Sequence, residues 1–179
     1  ISWSRVLPEG RGQVNAAGLA FYERLVDALL EAGIQPFCTL FHWDLPQALQ
    51  QRGGFQNRDM ADWFADYASL IGQKLGDRIK LWVTQNEPQC YIGFGVGSGI
   101  HAPGLKLDFS ETLVAAHNSM RAHSKAVAAL RATVPGARVG YVLATQLCRP
   151  ASSSAADLEA ARAATFAVSD RTLWNNTWW

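Results

Sequence analysis

Leu81-Trp82-Val83-Thr84-Gln85-Asn86-Glu87-Pro88 is the stretch that decides the fold. It opens on an apolar run, continues through polar side chains and ends on a carboxylate followed by proline. The pattern predicts a strand over 79–84. Pro88 has no amide N–H and cannot continue a sheet ladder, so the strand stops with Glu87 at its mouth. A carboxyl at such a mouth, beside aromatic side chains, is partly desolvated. Desolvation favours the neutral form, which is what a general acid needs near neutral pH. Asn86 beside it offers an amide donor. The same glutamate also reads as an ordinary loop carboxylate that caps the following turn, and the spacing alone does not choose.

Working outward, short β-rich runs alternate with longer amphipathic ones. Residues 1–5 read as a strand end and 7–13 as a loop rich in Gly and Pro. Asn15 stands where a helix cap is wanted. Over 17–32, Leu19, Tyr22, Leu25, Val26, Leu29 and Leu30 recur at helical spacing, and Gly33 follows as a stop. The run 34–41 is almost continuously apolar, as in a strand buried on both faces. Asn57 and Asp59 open a helix over 60–75 whose inner stripe is Trp63, Phe64, Tyr67, Leu70 and Ile71. The segment 89–106 reads as a long glycine-rich loop, 110–132 as a third helix, 137–143 as another strand, 150–154 as a polar loop and 155–168 as a last helix.

This β-α-β-α order implies parallel strands joined by right-handed crossovers. A doubly wound sheet and a (β/α)8 barrel both fit. No GxGxxG follows any strand, which removes the usual dinucleotide fingerprint. Polar and aromatic residues do gather just past strand ends, at Trp3/Arg5, His42/Trp43/Asp44 and Asn86/Glu87. Strand ends are where a barrel keeps its chemistry. Four βα units make about half a barrel, so the whole of 1–179 reads as one partial barrel domain. The start at Ile1-Ser2-Trp3 and the aromatic end at Thr177-Trp178-Trp179 read as cuts through it.

Composition narrows the field. The chain has 179 residues, 49% of them apolar and 17% charged, with a formal net charge of +1. Such a balance leaves no electrostatic footprint for nucleic acid or an anionic membrane. No uncharged apolar stretch reaches the roughly 18 residues of a membrane span, and no secretory signal is visible. Cys38, Cys90 and Cys148 are widely spaced and form no CxxC pair, so neither a disulfide framework nor a zinc site is indicated. Reduced thiols in a cytoplasmic protein are the expectation. His42, His101, His117 and His123 show no HExxH-type spacing, and no metal or other cofactor is expected.

Four further residues bear on chemistry. His42, Trp43 and Asp44 together suit a pyranose, with an aromatic face for its C–H surface and polar groups for its hydroxyls. A satisfied core histidine beside a packing tryptophan is the competing reading. Arg5 at a barrel mouth would pair with a carboxylate; an ordinary surface ion pair is its alternative. Of the seven tryptophans, Trp63 and Trp82 read as core.

At these residues the match becomes specific. The chain resembles glycoside hydrolase family 1, the β-glucosidase and 6-phospho-β-glycosidase family. ISWSRVLPEG (1–10) and GIQPFCTLFHWDLP (33–46) are similar to the family's second- and third-strand motifs. Asn86-Glu87-Pro88 is similar to its acid/base signature. His101-Ala102-Pro103-Gly104 and Ala115-Ala116-His117-Asn118 resemble further family blocks in the same order. The resemblance implies a (β/α)8 barrel, here from about the second strand to just past the fifth. It implies Glu87 as acid/base, His42 and Asn86 on sugar hydroxyls with Trp43 against them, and Arg5 holding a nucleophilic carboxylate ionised. Gln89 stands where many members have Trp, which implies a more polar leaving-group site. The family's nucleophile lies in a TENG-like motif that this chain does not contain, and its strand-one Gln is absent too.

The expected reaction of a complete enzyme is hydrolysis of a small-molecule β-glycoside by double displacement, with these 179 residues inactive alone. Two other classes stay in view: a non-catalytic sugar-binding half-barrel, and a metal-dependent hydrolase using His42, Asp44 and Glu87.

Overall fold

The computed structural model describes residues 1–168, 172–174, 176 and 179. Of the aromatic end read from the sequence, Thr177 and Trp178 fall outside these. In chain order the elements are α1 (Trp3–Val6), α2 (Ala16–Glu31), β1 (Phe37–Phe41), α3 (Gln47–Gln50), a 3-10 turn (Gly54–Gln56), α4 (Met60–Leu75), β2 (Leu81–Asn86), α5 (Pro88–Cys90), a π-helical turn (Tyr91–Gly97), α6 (Phe109–Thr133), β3 (Arg138–Val142) and α7 (Ala155–Phe166). Among the described residues the three strands form one parallel sheet in the order β1-β2-β3. Parallel neighbours need crossovers, and α4 and α6 supply them, packing on each other as they return.

Three expectations are corrected. Residues 1–5 do not form a strand. Ile1 donates its amino group to Thr39 O of β1 at 2.7 Å. The chain then closes one helical turn, Leu7 N–H to Trp3 O at 2.8 Å. The cause is Trp3: fully buried, it stacks on Tyr67 at 4.9 Å and donates its indole N–H to Gly10 O at 3.0 Å. Second, β1 begins only after Pro36, and Phe37 is 66% exposed, so burial on both faces fails at its first residue. Third, much of the expected loop 89–106 is helical over 88–97. Gly95 lets the following segment pack against this turn: a Cβ there would lie 2.4 Å from Ala102 O.

Helix α4 follows its pattern closely, whereas in α2 Leu19, Tyr22 and Val26 are buried but Leu25 and Leu30 are exposed. In α4, Trp63, Phe64, Tyr67 and Ile71 are buried as the stripe predicts, and Leu70 is half-buried. Asn15 occupies the cap position of α2, but its side chain does not cap; it donates to Arg5 O at 3.0 Å and ties α1 to α2. Asn57 accepts from Asp59 N–H at 2.8 Å and sets the turn into α4. Helix α6 carries a full capping box, with Asp108 accepting from Glu111 N–H at 2.9 Å and Glu111 accepting from Asp108 N–H at 3.2 Å. No helix among the described residues is long and apolar enough to cross a membrane. Trp3, Phe41, Phe64, Tyr67, Trp82 and Tyr91 belong to one continuous core under the strand ends.

Candidate active site

Parallel pairing sets the site. Phe41 stands opposite Gln85 in the β1–β2 register, so the residues that follow each strand emerge side by side at one rim. They are His42 and Trp43, just past β1, and Asn86 and Glu87, the last residue of β2 and the one after it. The expected cluster therefore forms. The Trp43 indole N–H donates to Asn86 O at 2.8 Å, and Asn86 Nδ2 stands 3.4 Å from His42 Nε2. The His42 and Trp43 rings lie 5.2 Å apart. His42 is exposed; Trp43, Asn86 and Glu87 are half-buried.

Two side-chain-bearing residues in this cluster adopt left-handed backbone, Trp43 at φ 77° and Glu87 at φ 47°, the two non-glycine cases among the described residues. For bulky residues this region is strained by roughly 1–3 kcal/mol each and persists only where the surroundings enforce it. The surroundings of Glu87 do so. Its N–H donates to Val142 O at 2.8 Å, extending the ladder to β3 one residue past the strand. Its carbonyl accepts from Cys90 N–H at 2.9 Å as α5 begins. The preceding carbonyl is held by Trp43. Pro88 at the first helical position suits α5, since its missing N–H would be unpaired there in any case.

Below the rim, a buried triangle fixes β2 to α6. Gln85 Oε1 accepts from Tyr91 at 2.8 Å and from Ser119 at 2.7 Å, while Gln85 Nε2 donates to Ser119 O at 3.2 Å. Burial pushes the Tyr91 hydroxyl well above its ordinary range, so it stays protonated as a donor. Thr84 Oγ1 lies 2.7 Å from His123 Nδ1, and burial lowers the His123 pKa.

Arg5 is not brought to the cluster. It is exposed, with its guanidinium 4.8 Å over the Phe21 ring and 5.7 Å from that of Tyr22. Trp3 and Val6 take the inner face of the single turn α1, which leaves Arg5 on the outer face. Gln89 is likewise not open to a leaving group. It is 1% exposed, and its amide accepts from Ala144 N–H at 3.3 Å and donates to Ala144 O at 3.5 Å. The left-handed turn at Glu87 aims α5 so that this side chain fastens it to the chain after β3. Asp44 Oδ2 accepts from Trp3 N–H at 3.1 Å and so anchors α1.

Sequence reasoning passed over two neighbours of the cluster. His101 lies 5.5 Å from the Trp43 ring and 5.1 Å from Phe94; the His-Ala-Pro-Gly block that contains it was the available signal. Cys90 reaches Glu87, its thiol donating to Oε2 at 3.5 Å. Burial first, then the Glu87 charge and this bond, push the Cys90 thiol up to about 11. Among the described residues no three His, Cys, Asp or Glu side chains gather in a metal-binding group.

The chain is similar to known proteins over nearly its whole length. The family description Glycosyl hydrolase family 1 matches residues 1–178. Beta-glucosidase A of Thermotoga maritima is 48% identical over 162 residues, covering 90% of this chain and 36% of the relative. The aryl-phospho-beta-D-glucosidase of Bacillus subtilis is 38% identical over 180 residues, covering 100% of this chain and 36% of the relative. A solved structure of the Thermotoga maritima beta-glucosidase in complex with deoxynojirimycin superposes with a TM-score of 0.82 at 48% identity, covering 90% of this chain and 36% of that one. The chain thus spans about a third of the length of the relatives it matches. With its parallel strands forming part of a (β/α)8 barrel, the chain belongs to glycosyl hydrolase family 1.

Proposed function

We propose that the full-length protein containing this chain is a retaining β-glycosidase acting on β-glucosides, with Glu87 as its acid/base. The observation that supports it is the position of Glu87: a half-buried residue on an enforced left-handed turn at the end of a parallel strand, next in the chain to Asn86, which contacts both His42 and Trp43. Relatives named as beta-glucosidases, one solved with deoxynojirimycin, favour a glucose-shaped sugar. In the first step Glu87 protonates the departing glycosidic oxygen while a second carboxylate attacks the anomeric carbon. In the second, Glu87 takes a proton from water, which releases the sugar. The two carboxyls of such a pair stand about 5 Å apart.

His42 and Asn86 are read as hydrogen-bonding sugar hydroxyls. The indole N–H of Trp43 is engaged with Asn86, so Trp43 would meet the sugar through its ring face. Arg5 and Gln89 are left out of this reading. The substrate is a small glycoside, with no nucleic-acid or membrane partner, and the thiol form of Cys38, Cys90 and Cys148 favours a cytoplasmic setting. Because the chain holds no TENG-like motif, the 179 residues on their own are read as inactive.

Glu87→Gln in the full-length protein tests the assignment. Loss of a general acid costs roughly 10²–10⁴ in rate, so cellobiose hydrolysis should collapse. Turnover of a dinitrophenyl glucoside, whose leaving group needs no proton, should recover when azide is added. Near-normal cellobiose turnover would reject the role.

A further inference from the structure

The backbone of Glu87 is held on three sides, yet a carboxyl also has to be aimed. The hydrogen bond that reaches its carboxylate among the described residues comes from Cys90, whose Sγ stands 3.5 Å from Oε2. That is an ordinary length for a sulfur donor. The contact is built in by local geometry: the left-handed turn at Glu87 starts α5, and the Cys90 N–H to Glu87 O bond of 2.9 Å closes its one turn. The thiol is thereby carried beneath the carboxyl. Cys90 is only 8% exposed.

We propose that Cys90 is a positioning residue for the acid/base: its S–H occupies Glu87 Oε2, fixes the carboxyl plane, and leaves Oε1 to exchange the proton with the glycosidic oxygen. This rests on the reading of Glu87 as acid/base. The donor's weakness is what suits it to the task. A lysine or arginine here would hold the carboxyl ionised and remove the acid. A thiol orients the group while stabilising the ionised form only slightly. With its own pKa pushed to about 11, Cys90 remains a neutral S–H donor throughout the neutral range and adds no charge beside the carboxyl.

The test uses the full-length enzyme and the pH dependence of kcat/KM, whose basic limb reports the free-enzyme acid. Cys90→Ala removes a donor to the ionised form. Its basic limb should move up by a few tenths of a pH unit, and its kcat on alkyl glucosides should fall several-fold more than on a dinitrophenyl glucoside. Cys90→Ser, a stronger donor to the ionised form, should lower the limb below the wild-type position. Wild-type limbs in both variants overturn the proposal, as does an equal loss on both leaving groups, which marks mere packing. If Cys90→Ala does not fold, Cys90→Ser decides alone: its limb must be lowered, and an unmoved or raised one overturns the proposal. Azide rescue of Glu87→Ala is read in parallel. Its failure removes the acid/base reading itself, whereas its success with unmoved Cys90 limbs removes only the role of the thiol.

Discussion

At the scale of single residues, the rim depends on polar atoms already spent within the protein. Trp43 uses its one hydrogen-bonding atom on Asn86 O, at 2.8 Å. That bond joins two residues in left-handed backbone, through the peptide that leads into Glu87. Trp43→Phe keeps an aromatic face but strips Asn86 O of its donor. An unpaired, partly buried carbonyl costs on the order of 1–2 kcal/mol. Urea unfolding of the full-length protein should show that loss, with a larger fall in kcat than a change in KM. Wild-type stability in the variant would mean that the indole N–H does not secure the turn. Arg5 teaches the converse lesson. Its sequence neighbourhood suggested a carboxylate partner, but a one-turn helix with Trp3 and Val6 inside gives residue 5 only the outer face.

At the scale of elements, α6 joins the strands to the helical layer. Its Ser119 engages Gln85, and its His123 meets Thr84 of β2 at 2.7 Å and stacks on Tyr141 of β3 with centroids 4.3 Å apart. Burial lowers the His123 pKa below its unfolded value of about 6.5. The native state therefore binds fewer protons than the unfolded chain. The contribution is complete above about pH 6.5 and is lost as pH falls through the lowered folded value. Thermal unfolding midpoints should decline between about pH 7 and 5. His123→Phe, which keeps the stack but cannot titrate, should show a shallower decline; parallel slopes would show that another group controls stability in this range.

At the scale of the whole molecule, one core ties the first residues to the strand ends. Trp3 packs on Tyr67 at 4.9 Å and Phe64 at 5.4 Å, and the one Tyr67 hydroxyl proton is shared between Leu40 O at 3.2 Å and Ile1 O at 3.3 Å. Phe41, at the end of β1 just before His42, lies edge-on to Trp3 and to Tyr91. Removing a buried aromatic of this size costs roughly 3–5 kcal/mol. Trp3→Ala should therefore lower the denaturant midpoint sharply and loosen the rim as well, raising exchange of the amides after β1. A variant unfolding within error of wild type would show that the core closes without this ring.

The alternation of elements, the stripe of α4 and the emergence of His42 and Glu87 at strand ends were legible in the sequence, because each follows from a local period or from one residue such as Pro88; the capping was not, since the Asn15 side chain turns to Arg5 O instead of to its own helix. Family membership was legible for the same reason, in five ordered blocks. What the sequence did not decide was direction. Whether residues 1–5 extend or coil, whether Gln89 faces a ligand or Ala144, and whether Arg5 faces in or out depend on which neighbours fill the space first. Trp3 claims the core beneath β1, and the left-handed turn at Glu87 swings α5 inward. Local propensity sets where an element begins and ends; only packing among residues distant in sequence sets where each side chain points.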